Sequence, residues 1–147
     1  MATAAVISHR WTINTEPSVA FLALTQSHHF QKWWSADSDA QAYVGGKMKL
    51  GGTAHSCAVV VDRLEPGLVE WKFVPEDPSG RSQDDCVGTR VRFQIQRSAK
   101  GGSELAVSHQ GWKSQCPCFK RWSHTWAQFA AKSLKAYLET GVGIPVN

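Results

Sequence analysis

No apolar run in this sequence approaches the roughly 18 residues of a membrane-spanning helix, so no bilayer segment and no membrane partner are expected. Cysteine is sparse. Four thiols, at Cys57, Cys86, Cys116 and Cys118, are spread over 147 residues. That is not the density of a disulfide-stapled secreted scaffold, and a chain this long can bury about 68–70% of its unfolded surface without staples. Reduced thiols are expected. Charge of one sign is also lacking. Sixteen Lys and Arg against twelve Asp and Glu leave +4, and the basic residues are scattered. The densest group, Arg90, Arg92 and Arg97, has Asp84 and Asp85 nearby. Nucleic-acid binders concentrate such charge on one stripe or carry a recognisable motif, so no nucleic-acid partner is expected. Met1 to Ser8 lack a basic leader followed by a long apolar stretch, so a cytoplasmic protein without a signal peptide is expected.

The templates of common catalysis are missing too. There is no nucleophile elbow, no His-x-x-x-His pair and no phosphate-cradling glycine loop. Gly45-Gly46 and Gly51-Gly52 flank a strand pattern, without the strand-to-helix context of a nucleotide loop. Structural zinc normally wants cysteine pairs spaced by two to four residues with a second pair elsewhere. Cys116-Pro117-Cys118 is the only tight pair, and no second one answers it. His28 and His29 are adjacent, so on a helix they diverge by about 100° and cannot easily face one ion. Both are expected at the surface, as is His124. No metal and no cofactor are expected, and an enzyme is the less favoured reading.

What the sequence does have is tryptophan: seven in one small chain. Such rings bury on the order of 150–250 Å² each, and they either fill an irregular core or line an apolar cavity. The length suits one domain, residues 1–147.

Periodicity gives the order of elements. Ile7, His9, Trp11 and Ile13 alternate with Ser8, Arg10 and Thr12, a half-buried strand over 5–13. Thr15-Glu16-Pro17 reads as a helix start with Thr15 as the cap, leading into Val19 to Leu24. A second short helix spans about 27–34 and ends at Trp33-Trp34. A loop over 35–46 closes at Gly45-Gly46. Strands follow near 47–51, 54–64, 67–74, 87–97 and 103–111, with turns at Pro66-Gly67 and Ala99 to Gly102 and a longer loop from Pro75 to Asp85. Clean alternation argues an antiparallel sheet with one covered and one wet face. The last element, 119–140, repeats Phe119, Trp122, Trp126, Phe129, Ala130, Ser133, Leu134 and Tyr137 at helical steps, with Gly141 as its stop. A long striped helix should pack on the covered sheet face.

This order resembles the helix-grip, START-like (SRPBCC) superfamily, with an α+β, Bet v 1-like fold. Within it, the sequence looks like the C-terminal domain of the activator of the heat-shock protein 90 ATPase and its homologues. The resemblance is carried by Val19 to Thr25 with Trp33-Trp34, Val44-Gly45-Gly46-Lys47-Met48, Leu64-Glu65-Pro66 and Leu68 to Trp71. It continues through Gly88-Thr89-Arg90-Val91, Val107 to Trp112, Trp126 and Ser133 to Gly141, and so covers nearly the whole chain. It implies a curved antiparallel sheet wrapped around a long C-terminal helix, with a cavity between them that commonly holds apolar or amphipathic small molecules.

Under that expectation the ligand is small and apolar or aromatic. Trp11, Trp71, Phe73, Phe93, Trp112, Trp122, Trp126 and Phe129 supply contact area, while His109, and secondarily His9, orient it. One ring of Trp33-Trp34 anchors the helix pair and the other edges the cavity mouth. Two alternatives stand beside this. The first is a co-chaperone-like interaction domain that binds its chaperone partner through a basic patch around Arg90 and Arg92. The second is a small cyclase or hydrolase with His109 as base.

Overall fold

Period-two alternation becomes strand and helical repetition becomes helix over residues 5–34, 38, 43–50, 57–74, 87–112 and 117–144, the residues that a computed structural model of the chain describes. Strand β1 (Ala5–Ile13) is followed by helices α1 (Pro17–Thr25) and α2 (Ser27–Trp33). Strands β2 (Lys47–Leu50), β3 (Cys57–Glu65), β4 (Leu68–Val74), β5 (Arg90–Arg97) and β6 (Ser103–Trp112) come next. The C-terminal rod runs through α3 (Pro117–Gln128), a π-helical segment (Phe129–Leu134) and α4 (Lys135–Thr140). The expected fold class and element order hold, with strand ends shifted by one to three residues. The loops expected over 75–85 and most of 35–46 lie outside the described residues, as do residues 54–56.

The helix start differs from the expectation. Glu16, not Thr15, is the cap residue of α1, with extended backbone (φ −72°, ψ 144°) and no side-chain capping bond. Proline bars the residue before it from the helical region, so Pro17 forces Glu16 into the flanking position.

Six antiparallel strands form one sheet in the order β1-β6-β5-β4-β3-β2. Strands β2 to β6 are a meander, and β1 reaches β6 across the α1–α2 excursion. Register aligns inward residues in rows. Ile7 pairs with His109, His109 with Val91, Val91 with Trp71, and Trp71 with Val61. The next row is His9, Val107, Phe93, Val69 and Leu64. In β5, Val91, Phe93 and Ile95 are buried while Arg90, Arg92 and Gln94 face water. On that outer face Arg90 meets Asp62 at 2.8 Å, and Arg92 meets Glu70 at 2.6 Å. Exposed pairs of this kind contribute about 0.2–1 kcal/mol each. Each arginine of the expected basic patch thus has a carboxylate partner.

The rod lies on the inner face. Trp122 and Trp126 of α3 touch Phe73 and Phe93 of the sheet. A π-helical turn bonds i to i+5 and accommodates one extra residue. Just there, Ser133 turns toward α2. Its hydroxyl donates to the Trp33 carbonyl (2.6 Å) and accepts from the Ile144 N–H (2.8 Å), fastening the tail after α4. Further on, Tyr137 OH shares a 2.6 Å hydrogen bond with His29 Nδ1, and the Asn14 backbone N–H donates to Glu139 (2.8 Å). Gly141, at φ 86°, ends α4 as expected.

The turn at Pro66-Gly67 has two reasons for its glycine. Gly67 sits at φ +79°, and a Cβ there would stand 2.7 Å from the Ile95 carbonyl oxygen. Gly88 has similar backbone (φ +91°) with nothing within 4 Å of an added Cβ. Gly88→Ala should therefore cost about 1 kcal/mol from backbone strain alone, and Gly67→Ala roughly 2–3 kcal/mol. Denaturant unfolding of the two variants checks this, and equal costs would refute the steric contribution.

Candidate functional site

Alternation of β6 aims His109 at the covered face, where it is 0% exposed. Both ring nitrogens are committed. The Trp126 Nε1–H lies 3.0 Å from His109 Nδ1, and Thr89 Oγ1 lies 2.8 Å from His109 Nε2. An indole N–H can only donate, so Nδ1 accepts. The ring proton is therefore on Nε2 and is donated to Thr89. Burial pushes the imidazole pKa down to about 3, which keeps it neutral. A base with no unshared lone pair has nothing to offer a substrate, so the geometry gives no support to a cyclase or hydrolase built on His109.

The predicted contact rings surround this imidazole. Phe73 stacks on it (5.0 Å between centroids, 11° between planes), with Trp112 at 4.4 Å and Trp122 at 5.7 Å. Trp71 packs edge-on against Phe93 at 4.7 Å, and Phe93 against Trp126 at 5.6 Å. Trp71, Phe93 and Trp126 are 0% exposed, Phe73 1%, and Trp112 and Trp122 3%. Trp11 stands apart, half-buried and stacked on His9 at 5.4 Å. The side chain of Phe129 and those of all four cysteines lie outside the described residues.

Sequence reasoning missed several members of this cluster. Trp34 is fully buried rather than at a mouth, 5.5 Å from Trp126 and 6.3 Å from Trp122. Its neighbour Trp33 anchors the helix pair as expected, donating Nε1–H to the Ala23 carbonyl at 2.8 Å. Phe30 packs against Trp33, Trp34 and Trp71. Thr89, quoted in the resemblance and expected inside a strand, stands just before β5 and gave no sign of its bond to His109. His29 also corrects an expectation. It is half-buried against Tyr137 instead of exposed, and its pKa is lowered by burial, then by the charges of His28 and Lys32. His124 is exposed as expected.

Two buried side-chain polar atoms have no hydrogen-bond partner among the described residues: His9 Nε2 and Trp71 Nε1. Both are on residues nominated as ligand contacts. An unpaired buried donor costs about 1–3 kcal/mol, so each needs an explanation. Among the described residues, no three His, Cys, Asp or Glu side chains converge in a way that could hold a metal.

Among the described residues, open space lies beside α1. A groove of about 500 Å³ runs between α1 and the β3–β4 turn. Pro17, Ser18, Phe21 and Leu22 form one wall, Pro66 and Gly67 the other, and Ile95, Gln96 and Arg97 the end of β5 beneath them. Phe21 and Ile95 are also packed into the core, so the groove floor is continuous with it. At its rim Arg97 Nη2 meets Glu16 at 2.7 Å. None of these residues was singled out as a contact from sequence, because the groove is a gap between segments about 50 and 30 residues apart in the chain.

Comparison with known proteins adds a family. The family described as "Activator of Hsp90 ATPase homolog 1-like protein" matches residues 14–139. No curated protein matches the chain. Among solved structures, the Aha1 dimer from Colwellia psychrerythraea is similar at 26% identity and a TM-score of 0.81, covering 95% of this chain and 99% of that one. A Mesorhizobium loti protein is similar at 20% identity and a TM-score of 0.69 (86% and 92% covered). A protein of the dynemicin biosynthetic locus reaches 17% and 0.70 over 94% of this chain and 48% of that one. The last two likenesses are of fold alone.

The state of His109 is measurable. Its folded pKa of about 3 lies below the unfolded value, so the proton binds only on unfolding. Its contribution to stability is complete above about pH 6.5 and falls by about 1.4 kcal/mol per pH unit as pH drops toward 3. Unfolding between pH 6 and 4 should take up one more proton in the parent chain than in His109→Gln. Nitrogen NMR should show a neutral ring protonated on Nε2 at pH 5, and an imidazolium there would overturn the assignment.

Proposed function

This chain belongs to the Activator of Hsp90 ATPase homolog 1-like family, and from that premise we propose that it is a binding module for a small apolar ligand, taken in the groove between α1 and the β3–β4 turn. The observation that carries the reading is the groove itself. Its volume of about 500 Å³ falls in the range of small-molecule sites, about 300–1,000 Å³, and its walls are mainly apolar. Leu22, on one wall, is 39% exposed and so open to a ligand. The interior rings, by contrast, pack on one another and serve as the rigid backing of the site.

A nitrogen–proton NMR titration with 1-decanol tests this. Amide shifts should concentrate at Ser18, Leu22, Gly67 and Ile95, and Leu22→Glu should weaken binding by at least about tenfold, since the charge must be desolvated. Leu22 is exposed enough for the variant to fold. Shifts confined to the indole N–H signals of Trp71, Trp122 and Trp126 would move the site into the aromatic interior, the location favoured by the unpaired Trp71 N–H.

A second reading, association with an Hsp90 chaperone, is favoured by the family and by the 26% identity with the Colwellia psychrerythraea Aha1 protein. Its surface would be the outer sheet face around Arg90 and Arg92, whose exposed pairs with Asp62 and Glu70 are weak enough to exchange for a partner's carboxylates. A pull-down with the chaperone followed by an ATPase assay decides it. Absence of binding at micromolar concentration removes it.

A further inference from the structure

We propose that the ligand of the α1 groove is an amphipathic anion, a straight-chain carboxylate whose head group takes the place of Glu16 on Arg97. The inference rests on the groove being the ligand site. A carboxylate already sits on this guanidinium. Glu16 meets Arg97 Nη2 at 2.7 Å, and the two side chains are 62% and 66% exposed. An ion pair that open is weak, so a ligand that also buries a tail can displace it. Arg97 belongs to the groove lining, and its planar fork matches a carboxylate in a bidentate manner.

The rest of the site has the same sense. Two acidic side chains are tied to the groove lining by described contacts, Glu16 on Arg97 and Glu104 on Gln96, and Glu16 once displaced is free to swing into water. The first turn of α1 contains no acidic residue, and the positive end of the helix opens onto the groove at Pro17 and Ser18. Below the rim, Phe21, Leu22, Pro66 and Ile95 offer a tail only apolar surface. The chain's overall +4 charge favours an anion at long range. The chemistry therefore runs from a cationic rim to an apolar floor, which is the polarity of a chain with one negative end.

Calorimetry and NMR at low ionic strength, with probes below their micelle concentrations, test the assignment. Decanoate, 1-decanol and decyltrimethylammonium share one tail and differ in head group. Decanoate should bind about two- to fivefold tighter than decanol, and Arg97→Gln should erase that preference while leaving decanol within about twofold. Glu16→Gln should tighten decanoate about two- to fivefold by removing the internal competitor. Lengthening octanoate to decanoate should gain up to about tenfold. Both substituted side chains are exposed, so folding is preserved. Equal binding of decanoate and decanol, or tightest binding by the ammonium, overturns the anion assignment while the groove amides still move. If no probe moves those amides, the groove reading falls and the anion assignment with it.

Discussion

The chain of hydrogen bonds from Trp126 through His109 to Thr89 holds the inside of this protein in one arrangement. It joins the C-terminal rod to β6 and the start of β5 through a single imidazole, in a place where everything else is ring. Apolar packing alone tolerates sliding, because one aromatic contact resembles the next. A buried indole N–H does not tolerate it, since losing its acceptor costs about 1–3 kcal/mol. The His109 ring accepts on one side and donates on the other, so helix and sheet must meet in one register. The surrounding rings of Phe73, Trp112 and Trp122 exclude water and thereby give the relay its strength.

A scaffold locked in this way leaves its central imidazole with no lone pair to offer. The neutral imidazole is occupied on both nitrogens, and the outer face of the sheet is laddered with ion pairs. Beside the β3–β4 turn, Leu22 and Phe21 of α1 face a gap that Ile95 floors. Its shape is held by elements the core cannot release: Gly67 wedged against the Ile95 carbonyl, and α1 anchored through Ala20, Ala23 and Leu24. A pre-formed wall of this kind spares a ligand the cost of ordering it.

Much of this was legible in the sequence. Alternation in β5 and β6 placed Val91, Phe93, Ile95, Leu105, Val107 and His109 inward, and the spacing of Trp122 and Trp126 gave the rod its buried stripe. The rest was hidden for physical reasons. Thr89 precedes its strand and joins His109 only through strand pairing. Trp34 follows the last residue of α2, so no periodicity says which way its ring turns. The cap at Glu16 was readable from the proline after it, but Thr15 offered the commoner capping side chain. Six residues of π-helix lie below the resolution of a hydrophobic repeat, whose stripe reads the same with or without them. A groove belongs to no segment, and only the folded chain brings Pro17, Pro66 and Arg97 to one place.

The π-helical segment makes the rod a counting device. Before Phe129 the rod rests on the sheet and on Trp34; from Ser133 onward it is fixed by Ser133 on Trp33, Tyr137 on His29 and Glu139 on Asn14. One surplus residue, absorbed in the wide turn, lets both halves keep their partners. Loss of a residue there would restore regular α-helix and rotate the downstream half by about 100°, carrying all three contacts off target. Chain length between Trp126 and Ser133 is thus fixed by the contacts at its two ends.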